Sequence, residues 1–193
     1  MTRTPHLQAP ANVAAAEADI DVVQRLAAGD RDAVAELYDR HAARVLGLAY
    51  RIVRNSSDAE DVVQEVFAQA WRTAPNYERT RGTVAGWLLM MARTRAIDRL
   101  RSRQARRDDG ESNLEAMPAV VEPPSDRLIA DEQAARVREA LLALPVEQKT
   151  ALELAYFEGL TQSEIAERLR TPLGTIKTRI RSALASLRRS VRP

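Results

Sequence analysis

GTIKTRIRSALASLRR, residues Gly174 to Arg189, is the stretch whose reading decides the fold of the last third of the chain. Ile176, Ile180, Leu184 and Leu187 recur at i, i+4, i+8 and i+11, which sets them on one stripe of an α-helix. Lys177, Thr178, Arg179, Arg181 and Ser182 occupy the other faces, so one side is apolar and the rest carries cations and short hydroxyls. Such a helix suits the DNA major groove, where phosphates and base edges are both within reach. Upstream, Thr161-Gln162-Ser163-Glu164 has the form of a capping box and predicts a helix start, with Ile165, Ala166 and Leu169 facing inward. Thr171-Pro172-Leu173-Gly174 is the expected break: proline cannot continue the first helix, and Gly174 is read as the flexible turn before Thr175 opens the second. Together these make a helix-turn-helix. An ordinary helical hairpin with a solvated basic face has the same stripe. DNA contact is favoured because Pro172 to Pro193 holds six Lys or Arg and no acid.

Outward from this motif, 193 residues allow one large domain or two small ones, and two are expected. Hydrophobic content of 45% supports buried cores, while 4% aromatics and a bias to Ala, Leu and Arg favour helices, so the fold class is all-α. The net charge of +2 conceals a strong segregation of sign along the chain. With no Cys there are no disulfides, thiolate chemistry or cysteine zinc sites. His6 and His41 are the only histidines; neither has a clustered carboxylate partner in the sequence, so neither reads as a base or metal ligand. No cofactor is expected. No apolar core follows Arg3 and no run of about 18 apolar residues occurs, so a cytoplasmic protein without direct membrane insertion is expected.

Residues 1–18 read as a disordered tail, and 19–105 as a four-helix domain with breaks at Gly29, at Asn55-Ser56-Ser57 and in a polar loop from Pro75 to Gly82. Ser57 and Glu60 suggest a second capping box, opening a helix that turns Val62, Val63, Val66, Phe67, Ala70 and Trp71 inward. Residues 106–126 read as an acidic linker: Asp108 to Glu132 holds eight acids against one base, with three prolines. The second domain spans 127–190.

The first domain carries two charged helices. One holds Asp58, Glu60, Asp61 and Glu65 with no base before Arg72. The helix dipole explains acids in the first turn, but not Asp61, Gln64 and Glu65 on one ridge, which reads as a surface for a basic protein partner. The other holds Arg93, Arg95, Arg99, Arg101, Arg103, Arg106 and Arg107 against Asp98 alone. Arg95, Arg99 and Arg103 repel at i, i+4, i+8, a tension that a bound polyanion would offset. Tyr77 and Trp87 could stack on exposed bases, although Trp87 also lies on the apolar stripe.

Asp58-Ala59-Glu60-Asp61-Val62-Val63-Gln64-Glu65-Val66-Phe67, Gly86-Trp87-Leu88 and Ala96-Ile97-Asp98-Arg99-Leu100-Arg101, followed by Leu144-Pro145, Gly159-Leu160-Thr161, Glu164-Ile165-Ala166 and Gly174-Thr175-Ile176-Lys177-Thr178-Arg179, resemble a group 4, extracytoplasmic-function (ECF) sigma factor of bacterial RNA polymerase. The resemblance runs from Asp19 to Arg189, and Gly86 to Arg93 is similar to the sigma-K-like actinobacterial members. It implies sigma region 2 followed by region 4, and no enzyme. It implies that Asp58, Asp61, Gln64 and Glu65 dock on the polymerase β′ clamp, with the β flap as a second contact. Tyr77, Trp87, Arg93, Thr94, Arg95, Asp98, Arg99 and Arg103 would open and hold the −10 element. Thr161, Thr175, Lys177, Thr178, Arg179, Arg181 and Ser182 would read the −35 element as duplex. The acidic linker would follow the RNA exit path, and an anti-sigma factor would hold the protein inactive. Many relatives have Arg at Ser182 and Asn within the −10 helix where Thr94 and Asp98 stand, so no promoter sequence carries over. A stand-alone helix-turn-helix regulator would need neither the acidic ridge nor the second basic helix. No phosphate loop, catalytic triad or metal spacing supports an enzyme.

Overall fold

The computed structural model describes residues 11–108 and 132–191, which form eight α-helices and one short 3-10 turn. The chain divides into two compact units, Met1–Pro124 and Ser125–Pro193.

The first unit contains α1 (Ala11–Ala27), α2 (Asp32–Val53), α3 (Ser56–Thr73), the 3-10 turn Ala74–Asn76 and α4 (Val84–Asp108). Helix α2 packs against each of α1, α3 and α4. It buries Ala33, Leu37, His41, Val45, Ala49 and Ile52, a nearly strict four-residue repeat that matches one face of a helix. Val22 and Leu26 of α1, Val62 and Val66 of α3, and Leu88 and Ala92 of α4 close this core. Burying each large side chain contributes about 1.5–3 kcal/mol, so the shared apolar faces hold the four helices together. Gly29, at φ 90, ends α1 in a conformation that favours glycine.

Several sequence expectations are corrected here. Helix α1 begins at Ala11, within the stretch read as a tail, because Ala14-Ala15-Ala16 has high helix propensity and needs no packing to continue a helix already formed. Residues 1–10 and 109–131, which hold the rest of that tail and most of the linker, lie outside the described residues; α4 itself extends through 106–108. The cap of α3 is Asn55, not Ser57: its side chain accepts from the Asp58 N–H at 2.9 Å, after Arg54 closes α2 with a left-handed backbone at φ 53. Trp71 is 38% exposed rather than core, because Ala70 and Ala74 occupy the buried positions on either side.

The second unit contains α5 (Glu132–Leu142), α6 (Val146–Phe157), α7 (Gln162–Arg168) and α8 (Leu173–Val191). Ala151, Leu154, Ile165, Ile176 and Ile180 form its core, with Leu160, Ala166 and Leu169 packed against them. Gly159, at φ 65, turns the chain out of α6 while the Leu160 N–H reaches the Leu154 carbonyl at 3.2 Å.

Candidate nucleic-acid and protein-docking interfaces

In the second unit the capping box forms as the sequence predicts. The Thr161 hydroxyl accepts from the Glu164 N–H at 3.3 Å, and the Glu164 carboxylate accepts from the Thr161 N–H at 2.6 Å. The turn differs from expectation. Gly174 is helical, and the left-handed residue is Arg170 at φ 48, with the Thr171 N–H bonded to the Ala166 carbonyl at 2.9 Å. A Schellman closure of α7 thus makes the turn, and Pro172, with no N–H to satisfy, stands just before α8. Arg168 pairs with Glu158 at 2.8 Å, tying α7 to the end of α6.

Along α8 the buried stripe is Ile176, Ile180 and Ala183, with Leu187 half-buried; Leu184, expected inside, is 44% exposed. The difference is one of phase: i, i+4, i+7, i+11 follows the 3.6-residue turn more closely than i+8 does. Thr161, Thr175, Lys177, Thr178 and Arg181 are exposed, and Arg179 and Ser182 are half-buried. The Thr178 hydroxyl donates to the Gly174 carbonyl at 2.9 Å, leaving its oxygen lone pairs directed outward.

In the first unit α3 buries Ala59, Val62, Val63, Val66, Phe67 and Ala70, which leaves Gln64 exposed and Asp58, Asp61 and Glu65 half-buried on its flank. Thr83 caps α4 by accepting from the Gly86 N–H at 3.1 Å, and α4 buries Val84, Leu88, Met91, Ala92 and Ala96. That places Arg95, Arg99 and Arg103 against the acidic flank of α3. Arg99 Nη1 lies 2.8 Å from Asp61 and 3.3 Å from Asp58, and Nη2 lies 2.6 Å from Glu65. Arg103 reaches the second oxygen of Asp58 at 2.5 Å. Arg95 donates to Gln69 Oε1 at 3.0 and 3.2 Å and stands 3.9 Å from Glu65. The hydrogen bond to Glu65, then that to Asp61, holds the Arg99 guanidinium above its usual basicity against the opposing effect of burial.

The two charged surfaces read separately in the sequence therefore meet along one seam. Carboxylates of the same unit, rather than a bound polyanion, offset the repulsion among the three arginines. Acids at i, i+3, i+7 and bases at i, i+4, i+8 share the helical stride and both border an apolar stripe, the signal from which their pairing could have been read.

Tyr77 and Trp87 pack ring to ring at 5.2 Å, and the Tyr77 hydroxyl donates to the Gly82 carbonyl at 2.9 Å, bracing the loop before α4. Burial raises the Tyr77 pKa, with Asp19 adding to it. A cavity of about 190 Å³ lies beside this loop, lined by Ile20, Val23, Gln24, Tyr77 and Arg79 among others. Thr94 and Asp98 are exposed on α4, Arg93 is half-buried, and the Thr94 hydroxyl donates to the Met90 carbonyl at 3.0 Å.

His41 does have a carboxylate neighbour: Asp19 lies 3.0 Å from its Nε2, contributed by α1 and hidden from sequence reading by its distance along the chain. The ring is 4% exposed, and neither nitrogen has a well-directed hydrogen bond. Burial lowers the His41 pKa, opposed by Asp19 and assisted by Arg44 and Arg40. Among the described residues no group of three or more His, Cys, Asp or Glu could hold a metal, and no helix is long and apolar enough to cross a membrane.

Residues 37–106 match the sigma-70 region 2 family, and residues 134–187 match sigma-70 region 4. The ECF RNA polymerase sigma factor SigK of Mycobacterium ulcerans is 42% identical over 171 residues, covering 86% of this chain and 90% of its own. SigK of Mycolicibacterium vanbaalenii is 37% identical, covering 98% of this chain and 97% of its own. Among solved structures, Rhodobacter sphaeroides SigE in complex with the anti-sigma ChrR is 31% identical, covering 89% of this chain and 96% of that one, at a TM-score of 0.45. Two sigma regions in order, each on its own helical unit, and relatives aligned over almost the whole length show that the chain belongs to the ECF sigma factors of bacterial RNA polymerase.

Proposed function

We propose that this sigma factor binds core RNA polymerase through α3 and directs promoter-specific initiation by reading a −35 element with α8 and a −10 element with α4 and the loop before it. The observation that carries the reading is the basic, solvent-facing surface of α8 in a helix-turn-helix, joined in one chain to a unit matching sigma region 2. Lys177, Thr178 and Arg181, with Thr161 and Thr175, face the duplex; Arg179 and Ser182 border that face. Asp58, Asp61, Gln64 and Glu65 meet the β′ clamp, and Gln64 is the most accessible of the four.

Tyr77 and Trp87 offer rings to unstacked bases, and the cavity beside Tyr77 and Arg79 offers such a base a recess. Thr94 and Asp98 present polar groups from the exposed side of α4, with Arg93 half-buried on the same helix; Arg95, Arg99 and Arg103 belong to this DNA-facing helix too, but lie against the carboxylates of α3. The protein catalyses no reaction itself and works in the cytoplasm. Rhodobacter sphaeroides SigE is solved in complex with the anti-sigma ChrR; on the present reading an anti-sigma factor also binds this chain and holds it inactive.

The test is run-off transcription from fragmented host DNA with sigma-free core polymerase. Start sites sharing spaced −35 and −10 motifs are expected. DNA binding without core-dependent initiation would instead make the chain a stand-alone regulator. Gln64→Lys should weaken core binding while leaving the ion pairs of α3 and α4 in place; unaltered pull-down by this folded variant would remove the docking assignment.

A further inference from the structure

Asp19 of α1 lies 3.0 Å from His41 Nε2 and accepts from Arg40 Nη1 at 3.2 Å, both on α2. Arg40 also pairs with Glu36, and Glu36 with Arg25 of α1, whose guanidinium holds Asp30, so an unbroken run of charges sews α1 to the start of α2. On another side α1 packs on the 3-10 turn Ala74–Asn76 and contributes Ile20, Val23 and Gln24 to the cavity that Pro75, Tyr77 and Arg79 also line. Val22 and Leu26 anchor α1 in the core one and two turns further on. Asp19 fixes the helix at the level of Ile20, where it borders the recess. We propose that Asp19 and His41 are a positioning pair: they set α1 against the loop before α4, and so shape the recess in which that loop takes an unstacked promoter base. This rests on the reading of that recess as a base site and adds the element that holds its form.

Burial makes the pair sensitive to pH. The His41 side chain is 5% exposed and that of Asp19 18%, and neither ring nitrogen has a well-directed hydrogen bond. A proton on His41 therefore puts a charge into a site that solvates it poorly. The charged groups acting on the ring are Asp19 from α1, which favours the proton, and Arg44 and Arg40 on its own helix, which oppose it. The Tyr77 phenol feels Asp19 in turn, while α3 and α4 bring apolar residues, Val66 and Leu88 among them, to the same core. Burial outweighs the carboxylate, so the docked ring binds a proton less readily than one that α1 has left. Acid thus loosens α1, and the recess with it.

The test follows hydrogen exchange in the full-length chain, corrected for intrinsic rates, alongside binding of short fluorescent oligo(dA), oligo(dC) and oligo(dT). Between about pH 7.5 and 5.5, protection of α1 and of residues 74–82 should fall by up to about tenfold, the limit for a released histidine titrating near 6.5. His41→Gln, which keeps a polar side chain but takes no proton, should remove that fall; a fall that persists overturns the proposal. At neutral pH Asp19→Asn should lower the same protection by about tenfold, the low end for a hydrogen bond to a charged group, and spare α3. Unchanged protection in α1 overturns the proposal and leaves the recess standing as a base site. Equal loss in α3 makes Asp19 a prop of the whole core and also overturns it. The wild type should prefer one base over another by about fivefold, and Asp19→Asn should bring this below about twofold. That ratio is blind to the charge removed, which shifts all three oligonucleotides alike. A preference that survives in a loosened Asp19→Asn chain overturns the positioning role. No preference in the wild type removes the recess as a base site, and the proposal with it.

Discussion

Ile165 is wholly buried in the second unit among Ala151, Leu154, Ile176 and Ile180, so shortening it tests whether this small core alone holds the helix-turn-helix. Ile165→Val removes one methylene and should cost about 1 kcal/mol; Ile165→Ala leaves a cavity and should cost about 3 kcal/mol. A unit of about 60 residues has roughly 3–9 kcal/mol in all, so the alanine variant should stand close to unfolding. The two tryptophans, Trp71 and Trp87, both lie in the first unit, which separates the readouts. In a urea titration, far-ultraviolet circular dichroism follows both units and tryptophan fluorescence follows only the first. Ile165→Ala should shift part of the dichroism transition to lower urea and leave the fluorescence midpoint in place, with Ile165→Val intermediate. Fluorescence moving together with dichroism would refute the independence of the two cores. Equal effects of Val and Ala would refute the packing argument.

Gly174 is helical with nothing within 4 Å of an added Cβ, so Gly174→Ala should stabilise the second unit by about 0.5–1 kcal/mol. Gly159→Ala, forced to a φ of 65, should destabilise it by about 1 kcal/mol; both are read from chemical denaturation, and matching signs would contradict the turn assignment. His41 is buried with its pKa lowered, so the unfolded chain binds the proton more readily and stability is lost as pH falls below the ordinary histidine range near 6.5. Fluorescence-detected unfolding of the first unit should weaken on acidification from neutral pH, and His41→Gln should flatten that dependence; an unchanged slope would assign it to other groups. Duplex binding by α8 should follow a log–log salt slope of roughly −3 to −6 if about four to six phosphates are contacted, and a salt-independent affinity would contradict it.

The helical class, the helix-turn-helix and the order of the two regions were legible in the sequence because each depends on local signals. Apolar residues repeat at the helical period, Gly29 stops a helix, and Thr161 with Glu164 starts one within four residues. Local reading was less successful where equivalent signals compete nearby. Asn55 and Ser57 are both competent caps, and Arg170 rather than Gly174 took the left-handed turn because the closure of α7 required it there. What only the tertiary structure decided lies between residues far apart in the chain: the Asp19 carboxylate beside His41, the Tyr77 ring against Trp87, and above all the seam of Asp58, Asp61 and Glu65 with Arg99 and Arg103. The sequence by itself determined that one helix is acidic and another basic. Whether those charges face solvent or each other depends on how far each helix rotates as its apolar stripe finds the core, and only packing settles that rotation.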